Sequence, residues 1–255
     1  MRCRSFVFLF VCIGLQMHAV EATAVIPPQT QQLIVGLARD WDDSYVVLQR
    51  YELRNNRWQP VGPSVPGRLG RKGLAWGRGL HPPQPGRQKE EGDQRSPAGV
   101  FRLGGLYGSL PVEKLKLKPK MTYHRVTPDC LWVEDPHSPY YNQYLRAKTP
   151  GRLTTWEKQQ QMKQNDPAHE LKLLIHHNTP PNVVPGAGSA IFFHIWRKDG
   201  AQAPTGCTVI SRQNLIEFSE WLDPDLHPVY VLLPQREYLR LMKIWNLPEP
   251  PLPLR

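Results

Sequence analysis

Apolar residues run together over positions 32–37 and again over positions 45–53, two segments that read as a pair of strands. Asp40-Trp41-Asp42-Asp43 between them reads as the turn. These apolar runs give way over residues 60–92, where Gly-Arg-Leu-Gly-Arg-Lys-Gly and His-Pro-Pro-Gln-Pro-Gly predict a long irregular loop. A loop of that length in a compact domain is usually functional or mobile. Short strands are predicted at residues 100–103 and 131–133, and a polar, helix-tolerant stretch at 153–164 stops before Asn165-Asp166-Pro167. Residues 171–175 read as a strand entering His176-His177-Asn178, residues 190–196 as a buried strand, and residues 207–210 as the start of another. Ser211 is placed to cap a helix with Leu215, Ile216 and Leu222 inward, stopped by Asp223-Pro224. A last strand at 229–233, a last helix at 237–245 and a loose proline-rich tail at 247–255 complete the pattern. Many short strands with few helices predict a β-rich α+β fold.

The 255 residues suffice for one ordinary domain or two small ones. At the N-terminus, Arg2 and Arg4 precede an uncharged apolar run over residues 6–15 and small residues around Ala22 and Ala24. This predicts a secretory signal peptide over residues 1–22. A membrane anchor is the alternative, but the run is short for a bilayer and no second apolar run follows, so no stable membrane insertion is expected after cleavage. Export places the protein in the periplasm or cell envelope. The formal charge of +10 becomes about +9 once Arg2, Arg4 and Glu21 are removed. The Lys and Arg residues are dispersed without a recognition helix or stacking motif, so an anionic envelope is favoured over nucleic acid as the partner. Cleavage also removes Cys3 and Cys12 and leaves Cys130 and Cys207. These either form one disulfide or include a nucleophile kept free, and composition leaves both open.

Local context singles out two residues. His194 closes the apolar run Ser189-Ala190-Ile191-Phe192-Phe193, and Cys207 follows Gly206 just before a strand and a capped helix. A glycine beside a strand-edge cysteine lets a substrate backbone approach and leaves main-chain N–H groups to face an oxyanion. A thiol needs a base or cation nearby to act as a nucleophile, and histidine supplies one. The competing reading is a buried thiol and a core imidazole. Zinc ligation by His176, His177, His194 and Cys207 is not expected, because the spacing of a metal site is absent.

The chain resembles the L,D-transpeptidase (YkuD-like) catalytic family. The resemblance rests on Gly188-Ser189-Ala190-Ile191-Phe192-Phe193-His194 and Pro204-Thr205-Gly206-Cys207, joined in order by Glu91-Gly92-Asp93, Trp132-Val133-Glu134-Asp135-Pro136 with Tyr140-Tyr141-Asn142, and His169-Glu170 with His177-Asn178. It implies a YkuD-type domain over residues 25–240, a β-sandwich core with added helices. It also implies acyl transfer on peptidoglycan stem peptides, with Cys207 as nucleophile and His194 as proton acceptor and donor. Thr205 and Gly206 would shape the turn and oxyanion site, and no cofactor or metal is needed. Glu91, Asp93, Asp135, Asn142 and Asn178 are candidate substrate contacts. Glu91, Asp93, Asp135 and Asn142 also have a simpler reading as loop-holding side chains. Two departures stand out: family members often carry a histidine where Thr205 stands and Arg or Asn where Val209 stands. Whether an amine or water resolves the thioester, giving transpeptidase or carboxypeptidase, is not encoded in these motifs, and a non-catalytic wall-binding domain is the rival class.

Overall fold

The computed structural model describes residues 25–162 and 165–250. The predicted signal peptide and the end of the tail lie outside them. Twelve strands and three short α-helices make a mostly β structure: β1 (Gln32–Ala38), β2 (Tyr45–Arg54), β3 (Arg57–Arg68), β4 (Leu74–Trp76), β5 (Ser96–Gly108), β6 (Tyr123–Arg125), β7 (Cys130–Trp132), β8 (Tyr144–Arg146), α1 (Thr155–Gln159), β9 (Leu171–Ile175), β10 (Phe192–Ile195), β11 (Thr208–Ile210), α2 (Arg212–Trp221), β12 (Val229–Pro234) and α3 (Gln235–Leu241).

Hydrogen bonding runs β12-β1-β2-β3-β11-β10-β9-β5, and β5 pairs β12 in turn. The main sheet therefore closes on itself like a barrel, where a two-sheet sandwich was expected. The long β5 makes closure possible. It pairs β12 through residues 99–102, then shifts register between Leu103 and Leu106 and continues along β9. Bulges of this kind bend a strand from one neighbour to the next.

Side-chain alternation sorts the strands into an inner and an outer face. Leu171, Leu173 and Ile175 of β9 and Phe193 and Ile195 of β10 enter the main core, whereas Leu174 and Phe192 point outward into a second, smaller cluster. The hairpin β7–β8 covers that outer face, with Trp132 packed edge-on against Phe192 at a ring separation of 5.0 Å. Each fully buried aliphatic or aromatic side chain in these clusters is worth about 1.5–3 kcal/mol.

Several sequence expectations need correction. Residues 60–68, read as loop, belong to β3. Pro60 and Pro66 fit there because β3 pairs β2 along its length but meets β11 only at Arg68, so most of its second edge needs no N–H donor. The helix expected within residues 153–164 is reduced to α1, opened by a capping box between Thr154 and Glu157. The last helix ends at Leu241. The start of the tail is not loose: Leu247 is buried, and the carbonyls of Pro248 and Glu249 accept hydrogen bonds from the Tyr238 and Tyr51 hydroxyls. Ser211 does cap α2, its side chain accepting from the Asn214 N–H. No helix among the described residues is long and apolar enough to cross a membrane.

Candidate functional site

The register of β9, β10 and β11 assembles the site. His194 lies directly opposite Lys172, and Phe193 opposite Thr208. Cys207, one residue before Thr208, therefore falls beside Phe192 on the outer face that also carries His194 and Lys172. All three residues line one cleft of about 400 Å³, together with Trp132, Glu134 and Lys89. Sequence reasoning paired Cys207 with His194, and the fold brings both into this cleft.

The backbone before β10 presents a carbonyl to the thiol. Ala190 has a left-handed φ of 55°, unusual for a residue with a Cβ, and its C=O accepts from Cys207 Sγ at 3.5 Å. Asn142 holds that turn. Its Oδ1 accepts from the Ala190 N–H at 3.0 Å and the Trp132 indole at 2.9 Å, while its Nδ2 donates to the carbonyls of His177 and Asn178. On the other side, Ser96 Oγ donates to the Cys207 carbonyl at 3.0 Å. The N–H groups of Gly206 and Cys207 donate to no acceptor among the described residues. Gly206 is packed closely: a Cβ there would lie 3.3 Å from the Arg95 carbonyl.

The imidazole of His194 is held in one tautomer. Its Nδ1 lies 2.9 Å from the Ile195 carbonyl, which can only accept, so Nδ1 carries the proton and Nε2 keeps the lone pair. His169 stacks on the ring at 4.7 Å. Burial pushes the His194 pKa down to about 4, with Lys172 and Arg197 adding to the effect and the Ile195 and Ala168 carbonyls opposing it. Burial pushes the Cys207 thiol up to about 11, against the pull of the Phe192 main chain and of Lys172. The resting pair is therefore neutral, imidazole and thiol, and not an ion pair. Lys172 is itself buried, donates to the Met162 carbonyl at 3.1 Å, and has its pKa lowered by burial.

Cys130 provides the contrast. It is free, as is Cys207. Its sulfur is buried in the second cluster, receiving hydrogen bonds from the Thr127 N–H, the Tyr144 hydroxyl and Arg146 Nη1 at 3.3–3.4 Å. Burial raises its pKa, but those donors outweigh it and the net shift is downward. Electrostatics alone would favour Cys130 as the thiolate. Accessibility favours Cys207, which lines the cleft while Cys130 has no exposed surface.

The remaining candidates separate. Thr205, Gly206 and Glu91 line the cleft with Cys207. The Glu91 carboxylate accepts from Ser189 Oγ at 2.7 Å and from the Tyr141 hydroxyl. Asp93 does not line the cleft but pairs with Lys89, which does, at 2.5 Å, and accepts from the N–H groups of Glu90 and Arg95. Asp135 caps its own loop, accepting from the His137 N–H and the Trp156 indole. Asn178 ties the loop that follows β9, donating to the carbonyls of Val184 and Gly188. Asp93, Asp135, Asn142 and Asn178 thus do not line this cleft, and Asn178 lines a separate cavity. Lys172 and Lys89 also line it and were missed, as do Glu134 and His169, which the motifs contain but to which no site role was given. The visible signal was Lys172, a charge inside the apolar strand Leu-Lys-Leu-Leu-Ile. No group of three or more His, Cys, Asp or Glu residues among the described ones is placed to hold a metal ion.

Two expectations follow from the neutral resting pair. In a Cys130→Ala background, iodoacetamide alkylation of Cys207 should accelerate by about tenfold per pH unit from pH 7 to 10, because thiolate grows until the thiol pKa is reached. A plateau already below pH 8 would show a preformed thiolate. Lys172→Met removes a cation that favours the Cys207 thiolate, so Cys207 alkylation at pH 8 should slow severalfold.

No protein-family model and no curated protein sequence matches the chain. Among solved structures, the helical cell shape determining protein Pgp2 from Campylobacter jejuni and a point mutant of it are similar at 14% identity and a TM-score of 0.35. The alignments cover 79% of this chain and 47% and 46% of those chains, so this chain spans about half their length. At that TM-score the likeness carries no weight for fold or activity.

Proposed function

We propose that the protein is a secreted cysteine acyltransferase acting on peptidoglycan stem peptides, of the L,D-transpeptidase type. The observation that carries this reading is the shared outer face of β9–β11. It sets Cys207 and His194 in one cleft, with the His194 tautomer fixed by the Ile195 carbonyl. As the thiol attacks the substrate carbonyl, its proton passes to His194 Nε2. The oxyanion that forms is met by the N–H groups of Gly206 and Cys207. Collapse expels the leaving amine, which takes the proton back from His194, and leaves a thioester on Cys207. An acceptor amine or water then releases the acyl group. Lys89 is paired with Asp93 and Arg197 with Asp166, which leaves Lys172 and Arg71 as the cleft cations that can meet a substrate carboxylate.

Thr205 and Val209 replace the polar residues common in the resembled family, and Val209 is buried. The loss of a polar group at Val209 leaves the cysteine chemistry intact, and either an amine or water can resolve the thioester. Incubation with purified muropeptides followed by mass spectrometry tests the proposal. Cross-linked dimers mark transpeptidation, and monomers shortened by a terminal D-alanine mark hydrolysis. Unchanged muropeptides would reject both.

A further inference from the structure

A second cavity, larger than the cleft at about 630 Å³, opens between the loop after β4, the strand β5 and the loop after β9. Its lining contains Arg78 and Arg102 and no Asp, Glu or Lys side chain. Both arginines are exposed, and neither guanidinium has an ion-pair partner among the described residues. Their backbones are fixed to consecutive residues. The Arg102 carbonyl accepts from the His176 N–H at 3.0 Å, the Arg78 carbonyl accepts from the Asn178 N–H at 2.9 Å, and the Arg78 N–H donates to His177 Nδ1 at 3.1 Å. Two like charges thus face one concavity from separate, rigidly tied segments. Neutral polar groups complete the wall: Thr179, whose hydroxyl lies 3.2 Å from His176 Nδ1, with Asn182 and Gln88. Pro83, Pro180 and Pro181 add flat apolar faces.

We infer that this cavity is a binding site for a sugar-sized organic oxyanion, held by Arg78 and Arg102. Guanidinium groups pair bidentately with carboxylate and phosphate, and two of them left without counter-charge in a concave wall await such a ligand. The volume exceeds that of a bare phosphate and falls in the range of small-molecule sites, about 300–1,000 Å³. The polar amides and proline faces suit a hydroxylated ring. Phosphate and carboxylate share this chemistry, so the probes separate them. The inference does not depend on the acyl-transfer reading, since no residue of it takes part in that chemistry.

The test is isothermal titration calorimetry of the full chain at low ionic strength with glucose 1-phosphate, with glucuronate and with neutral glucose. At least one of the two anions should bind at millimolar concentration or below while glucose does not, and the tighter of the two identifies the anion. The Arg78→Gln/Arg102→Gln variant should bind at least tenfold more weakly. Its thermal unfolding and its rate of Cys207 alkylation should match the parent, which separates loss of the site from loss of the fold. Absence of binding by both anions, equal binding of glucose, or unchanged affinity in a folded variant would overturn the assignment.

Discussion

Intact-mass spectra of the Cys207→Ala protein mixed with a carbapenem, a β-lactam of the kind that acylates the resembled family, are expected to show no covalent adduct. The parent should acquire one. Acylation needs a sulfur that the ligand can reach, and Cys207 lines the cleft whereas Cys130 has no exposed surface. His194→Ala should slow the adduct by about 10²-fold or more, the loss typical for a positioned base. The size of this effect follows from the neutral resting pair. With the thiol pushed up to about 11, only about one thiol in 10⁴ is ionised at pH 7, so a base must take the proton during attack. Above about pH 4 His194 is free to do so, and its activity should fall as pH drops through that value and the ring protonates. Cys130→Ala should acylate like the parent. An adduct mapping to Cys130 would assign the nucleophile to the better-ionised thiol and return His194 to core packing.

Asn142→Ala is expected to be the most destabilising single change near the site. The buried amide satisfies two donors and two acceptors, the Ala190 N–H, the Trp132 indole and the carbonyls of His177 and Asn178. Removing it strands those groups away from water. Each such group costs about 1–3 kcal/mol when unsatisfied, and partial relaxation brings the expected total to about 3 kcal/mol. In a chain of this size that lowers Tm by roughly 6–12 °C, measurable by calorimetry. Acylation should slow as well, because Ala190 loses the bond that keeps its left-handed turn beneath the Cys207 sulfur. A change within about 0.5 kcal/mol would show that the network does not hold the turn.

The sequence showed best what depends on local pattern. The apolar runs of β1, β2, β10 and β12 and the Ser211 cap all reflect local side-chain pattern or a short-range hydrogen bond, and each formed within a few residues of its expected place. β3 was hidden because its prolines look like loop residues until it is known to lie along an exposed edge. Closure of the sheet was hidden because it depends on a register shift within β5, which no local pattern announces. At the site, strand ends marked His194 and Cys207, but Lys172 reaches them only through the pairing of β9 with β10. Asp93, Asp135, Asn142 and Asn178 lie outside the cleft lining and are held by hydrogen bonds of their own. Polar side chains that cap loops and those that touch substrate share the same residue types, and only the hydrogen-bond partners distinguish them. Asn142 and Asn178 both adopt positive φ, at 57° and 51°, which matches their role in shaping loops.

The central claim is that Cys207 carries the acyl group. Its most direct test is an acid quench of the protein during turnover of a muropeptide tetrapeptide, followed by digestion with trypsin and mass spectrometry. Cleavage after Lys198 and Arg212 releases residues 199–212, the peptide that contains Cys207. The predicted result is an added mass on that peptide equal to the tetrapeptide donor less its terminal D-alanine, absent in Cys207→Ala and reduced in His194→Ala. Product formation with no adduct on residues 199–212, or with the adduct on the peptide that holds Cys130, would contradict it.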